Sequence, residues 1–207
     1  MSDPFKLIVI SSEHGIANEA QVVSQLFECG LNCFHLRKYK WDEAETTAFL
    51  NLTPIEFHKR IVLHSHFALL ERYDLKGIHL NEENRSKIER FENKKIISTS
   101  FHSLEEIENN KYPYGYVFLS PVFDSISKPG YTSKFNFGII ADRFQRWKLE
   151  DRIMPEVIAL GGVEAKNVIN VKTLGFSGAA VSGAVWSSED PFNAFLETQS
   201  KINQPLF

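Results

Sequence analysis

The stretch Val117-Phe-Leu-Ser-Pro-Val-Phe-Asp-Ser-Ile-Ser-Lys-Pro-Gly-Tyr-Thr-Ser-Lys-Phe135 decides how the chain is read. It opens as an unbroken apolar strand ending at Leu119. It then becomes a long polar loop carrying Asp124, Ser125, Ser127, Lys128, Thr132, Ser133 and Lys134. A short strand that is apolar on every residue is buried on both faces, as in a parallel sheet covered by helices. Loops of this length are uncommon in compact domains unless they carry function. Hydroxyls and lysines around a Pro-Gly bend suit an anion, above all a phosphate; a solvated loop is the plainer alternative.

Outward from this strand, the same pattern recurs on both sides. Apolar, β-branched runs stand at Phe5–Ile10, Cys33–Leu36, Arg60–His64, Lys76–Leu80, Lys95–Thr99, Gly115–Leu119, Pro155–Leu160 and Gly178–Val181. Between them lie stretches with helical spacing: Asn18–Cys29, stopped by Gly30, then Trp41 to Phe57, Phe67–Tyr73, Asn84–Phe91, Leu104–Asn110, Gly138–Trp147, Ala165–Thr173 and Pro191–Ile202. Pro54 predicts a break inside the second of these. Eight strands alternating with eight helical segments predict an α/β fold, and specifically a closed (β/α)8 TIM barrel. An open doubly wound sheet needs fewer strands, and no Gly-x-Gly-x-x-Gly follows the first strand.

Composition sets the outer limits. The 207 residues suffice for one well-buried domain, and no linker divides them. A net charge of -3 gives no support for a nucleic-acid partner. Two cysteines, Cys29 and Cys33, do not make a disulfide scaffold and fit a reducing cytoplasm. No apolar run approaches the ~18 residues of a membrane span, and the N-terminus has no signal-peptide pattern. A homodimer is compatible with all of this.

In a barrel of this type the active site gathers at the C-terminal strand ends. Those ends carry His35-Leu36-Arg37-Lys38, His64-Ser65-His66, His79 to Asn84, Ser98-Thr99-Ser100, the Ser/Lys loop, Gly161-Gly162 and Ser182-Gly183. The N-terminal ends are barer. Gly161-Gly162 lets backbone approach a ligand closely, or simply makes a tight turn. Ser182-Gly183 precedes a helical turn whose free N–H groups suit a phosphate. Arg37 offers a bidentate fork and Lys38 a point charge. Alternation puts His35 on the face of Arg37, pointing into the barrel just below it. His64 and His79 end the next two strands, so the three rings are expected to cluster. His64 and His66 are spaced as a metal pair, but polar lining of a pocket is the preferred reading.

Taken in order, these strand ends resemble the thiamine phosphate synthase family and its relatives, the thiazole tautomerases. The family's Gln-x-Arg-x-Lys appears as His35 to Tyr39, its Gly-[Ile/Val]-His-Leu as Gly77 to Leu80, and its Ser-x-His as Ser100 to His102. Its Gly-Pro-[Ile/Val]-[Phe/Tyr] followed by Thr-x-Thr-Lys appears as Ser120 to Phe123 and then Ser125 to Lys128. Its Ala-Ile-Gly-Gly-Ile is similar to Ala159 to Val163. The resemblance implies a transferase joining hydroxymethylpyrimidine diphosphate to thiazole phosphate. It implies Arg37, Ser100 and Lys128 as catalytic holders of diphosphate. It gives Ser125, Ser127, Gly162, Ser182 and Gly183 to the thiazole phosphate. His35, Lys38 and His64 are expected to bind substrate from their own places at the strand ends. It further implies Mg2+, yet Ser65 and Asn84 stand where the family carries its two magnesium-holding aspartates. The tautomerase branch places a histidine where this chain has Pro121. A metal-independent isomerase of the tautomerase kind and a non-catalytic phosphate-binding barrel are the competing expectations.

Overall fold

A computed structural model describes residues 4–91, 95–124, 133 and 135–204. Eight parallel strands close in sequence order into a barrel. They are β1 (Lys6–Ile10), β2 (Phe34–Leu36), β3 (Ile61–Leu63), β4 (Gly77–Leu80), β5 (Ile96–Phe101), β6 (Tyr116–Leu119), β7 (Glu156–Leu160) and β8 (Gly178–Val181). Closure comes from β1 against β8, in register from Lys6 opposite Gly178 to Val9 opposite Val181.

The outer layer is α1 (Glu19–Glu28), α2 (Glu43–Leu52), α3 (Leu104–Glu108), α4 (Phe137–Leu149), α5 (Val168–Thr173), α6 (Gly183–Trp186) and α7 (Pro191–Ile202). Local chemistry fixes their starts. Asp42 and Glu45 form a reciprocal capping box on α2, as do Ser103 and Glu106 on α3. Asn136 and Asp190 cap α4 and α7. The break expected at Pro54 is present: α2 ends at Leu52, and a 3-10 segment runs Ile55–Arg60.

Two connections differ from the helices read in the sequence. Phe67–Glu71 and Arg85–Phe91 are 3-10 turns. The first is too short to repay α-helix nucleation. The second is mostly polar and buries little besides Ile88.

Alternation along the strands sorts side chains between two cores. Phe34, Leu36, Ile61, Leu63, Ile78, Leu80, Val117 and Leu119 face outward into the layer shared with the helices. Inside the barrel, Ile8, Ile10, Cys33, Val62, Tyr116, Phe118, Ile158 and Ala180 pack together. The interior is lopsided. Around β7, β8 and β1 it is aliphatic, as is usual in this fold. Around β2 to β6 it holds His35, His79, Ser98, Tyr116 and, at the top, His64, all buried.

Candidate active site

The C-terminal ends of the strands surround a cavity of about 380 Å3, within the size range of small-molecule sites. Arg37, Ser100, Gly162, Ser182 and Gly183 line it, together with Tyr39, His79, Glu82, Arg85 and His102. Arg37 donates through Nη2 to Glu13 Oε1 at 3.0 Å. Arg85 donates through Nη2 to the Ser100 carbonyl at 2.7 Å, and its guanidinium lies over Phe101. The Nε of each arginine is buried without a hydrogen-bond partner. A buried donor left unpaired is costly. Both side chains line the cavity, where their charge suits an anion.

The floor is built of imidazoles and hydroxyls. His35 comes from β2, and His64 follows β3 by one residue. His79 is the third residue of β4. Their rings converge beneath the cavity, with one nitrogen from each lying within 4.8 Å of the others. His35 Nδ1 and His64 Nε2 face each other at 2.9 Å. The outer nitrogen of His35 is 2.5 Å from Tyr116 Oη, and that of His64 is 3.3 Å from Tyr39 Oη. His79 lies between Ser98 Oγ at 2.9 Å and Ser100 Oγ at 3.1 Å. Phe118 covers His79 and His35 from the apolar side.

Burial holds all three rings neutral. It drives His79 down to about 3, aided by the charges of Arg37 and Arg85. It drives His35 and His64 well below the usual imidazole range, with the neighbouring histidines and Arg37 adding to the effect. Burial also pushes the Tyr116 and Tyr39 phenols up, so both stay protonated.

Other expected site residues lie elsewhere. The Lys38 ammonium is buried 2.6 Å from Glu19 on α1, where it also donates to the His14 carbonyl at 2.8 Å. It is not among the residues lining the cavity. Burial raises the Glu19 pKa against the opposing pull of Lys38. His66 has left-handed backbone, φ 52°, and pairs through Nε2 with the Trp41 carbonyl. The cluster therefore takes His79, and not His66, as the companion of His64. Ser125, Ser127 and Lys128 lie outside the described residues.

Gly161 and Gly162 have a role in the chain itself. Both have positive φ, 93° and 63°. A Cβ on Gly161 would sit 2.8 Å from Pro121, and one on Gly162 would sit 2.2 Å from the Asp124 carbonyl oxygen. Val122 and Phe123 donate their backbone N–H groups to Leu160 and Gly161. The root of the strand-six loop is thus laced onto the end of β7, and only glycine leaves room for it.

Sequence reasoning missed Arg85 and Tyr116. Tyr116 stands opposite the inward-facing Ser98, a register that only the structure reveals. Arg85 lies beyond a strand end, where alternation no longer tells direction.

Magnesium favours oxygen ligands, carboxylates foremost. Ser65 and Asn84 supply none, and Glu82 is the only carboxylate among the described residues lining the cavity. This donor set does not fit a dedicated magnesium site.

Fold and cavity define a (β/α)8-barrel enzyme with a cationic, hydroxyl-rich mouth. The thiamine monophosphate synthase family model matches residues 7–185, and the chain belongs to that family. A thiamine-phosphate synthase of Chlamydia caviae is 26% identical over 200 residues, covering 91% of each chain. The structure of a thiamine phosphate pyrophosphorylase from Bacteroides thetaiotaomicron superposes with a TM-score of 0.83 at 32% identity, over 98% of this chain and 100% of that one. A thiamine phosphate pyrophosphorylase from Pyrococcus furiosus shares the fold, with a TM-score of 0.73 at 21% identity, over 96% of this chain and 95% of that one.

Proposed function

We propose that the chain joins hydroxymethylpyrimidine diphosphate to thiazole phosphate, forming thiamine phosphate and releasing diphosphate. The observation that carries this reading is the arrangement of the mouth. Two guanidiniums, Arg37 and Arg85, stand with Ser100 on the β2–β5 side. The β7–β8 side offers Gly162, Ser182 and Gly183. One side suits a departing diphosphate and the other a phosphate that only anchors its ring.

The C–O bond to the pyrimidine methylene breaks, and its electron pair leaves with the diphosphate. The thiazole nitrogen then gives its lone pair to that carbon, closing the new C–N bond. The enzyme's task is to stabilise the leaving charge and align two rings. Arg37, Arg85 and Ser100 supply the first from this chain's own residues, and Lys128 is assigned to the same task from its place in the loop motif. Beneath them the floor imidazoles are held neutral by burial.

Mixing the protein with both phosphorylated substrates should release diphosphate and yield thiamine phosphate. Absence of product from folded protein across a full magnesium titration would overturn the assignment. Arg85→Gln should lower kcat/KM by about 10²-fold, the usual scale for removing one preorganised charge-stabilising donor. Wild-type kinetics in that variant would remove Arg85 from the site.

A further inference from the structure

We propose that His35, His64 and His79 form a binding site for one divalent transition-metal ion, zinc first among them. The inference goes beyond the transferase reading and does not depend on it.

Three neutral imidazoles with an open fourth position are an established zinc donor set. Nitrogen ligands favour zinc and its neighbours over magnesium. Here one nitrogen from each ring lies within 4.8 Å of the other two. Around tetrahedral zinc, with Zn–N of about 2.0–2.1 Å, ligand nitrogens sit roughly 3.3–3.4 Å apart. His35 Nδ1 and His64 Nε2 are 2.9 Å apart, so the pair needs to open by only about half an ångström to admit the ion.

The surroundings match what such ligands need. A metal-bound histidine normally donates its other N–H to a fixed oxygen, which sets the tautomer and the ring orientation. His35 has Tyr116 Oη in that position and His64 has Tyr39 Oη. His79 has a serine hydroxyl on either nitrogen, so whichever one turns to the metal leaves the other held. When the ion enters, the single proton between His35 and His64 moves to the outer nitrogen of the ring that carried it. Each ring then offers a lone pair to the ion and an outer N–H to its phenol oxygen. His79 is itself part of the cavity wall, so the fourth position is supplied from the cavity by water or an anion. His64 and His79 are stacked with centroids 4.3 Å apart and planes 19° apart, so loading also requires the His79 ring to turn out of the stack and bring a nitrogen to the ion. The Phe118 face packs against His35 and His79.

The test uses the whole chain without substrates. Chelator-stripped protein is titrated with Zn2+ by calorimetry and with Co2+ by visible absorption, and metal content is measured after gel filtration. The proposal expects one ion per chain and the intense visible bands of four-coordinate Co2+. Both should be lost in His64→Gln and His79→Gln. Tyr39→Phe should weaken binding by about 10–100-fold, the usual effect of losing an outer partner. His14→Gln, altering an exposed histidine outside the cluster, should bind as wild type. Less than stoichiometric binding, or wild-type binding by folded His79→Gln, would overturn the site. If the histidine variants do not fold, X-ray absorption on zinc-loaded wild type decides. A shell with three imidazoles supports the site, and a shell with fewer overturns it. None of these readouts involves turnover, so failure here leaves the transferase reading standing.

Discussion

Arg37 and Lys38 are neighbours with opposite fates. Arg37 reaches the mouth of the barrel, whereas Lys38 turns back to Glu19 on α1 with its side chain only 1% exposed. The place of Arg37 follows from strand alternation, which still applies one residue past Leu36. Lys38 enters a turn, where alternation lapses, and nothing in the sequence marks Glu19 as its partner. Lys38→Met should destabilise the fold by about 3 kcal/mol, measured by urea unfolding. The low end of the buried-pair range applies because Glu19, already raised by burial, relieves its stranded charge by taking up a proton. A loss under about 1 kcal/mol would mean the pair behaves like a surface one. Lys128→Ala should abolish diphosphate release. Retained activity would remove Lys128 from the chemistry.

At the scale of elements, the strand count, order and most helix positions were legible because apolar periodicity reports burial directly. The two 3-10 connections were not, since Phe67–Glu71 and Arg85–Phe91 carry helical spacing without the length or apolar face to sustain it. The Gly161-Gly162 pair was legible as a place of close approach, but not as the seat of the strand-six loop. That seat gives a sharp expectation. Gly162→Ala must fit a Cβ 2.2 Å from the Asp124 carbonyl oxygen at φ 63°. The cost should be on the order of 2 kcal/mol, and the loop root should be pushed off the end of β7. Thermal melting and the KM for thiazole phosphate would both report it, and an unchanged melting temperature would contradict the lacing described above.

For the molecule as a whole, the buried histidines tie stability to pH. Each ring has a folded pKa below its unfolded value of about 6.5, so unfolding takes up protons in mild acid. Stability is therefore complete above about pH 6.5 and declines as the pH falls toward about 3, where His79 titrates in the fold. The loss is roughly 1.4 kcal/mol per pH unit for the His79 ring, and His35 and His64 act in the same direction. Urea midpoints at neutral and mildly acidic pH should separate accordingly, and His79→Gln should flatten the dependence. Identical midpoints at both pH values would contradict the burial of neutral rings.

The lopsided interior of the barrel also bears on how this chain tolerates change. Around Ile8, Ile10, Ile158 and Ala180, any apolar side chain of similar volume satisfies its neighbours, and substitutions there should behave independently. Along Tyr116, His35 and His64, and between His79 and Ser98, each group is donor or acceptor to the next. A change at one position leaves an orphan at another, so the permissible substitutions come in matched sets. A saturation scan of inward-facing positions should split the barrel lengthwise, with additive effects along one wall and strongly coupled ones along the other.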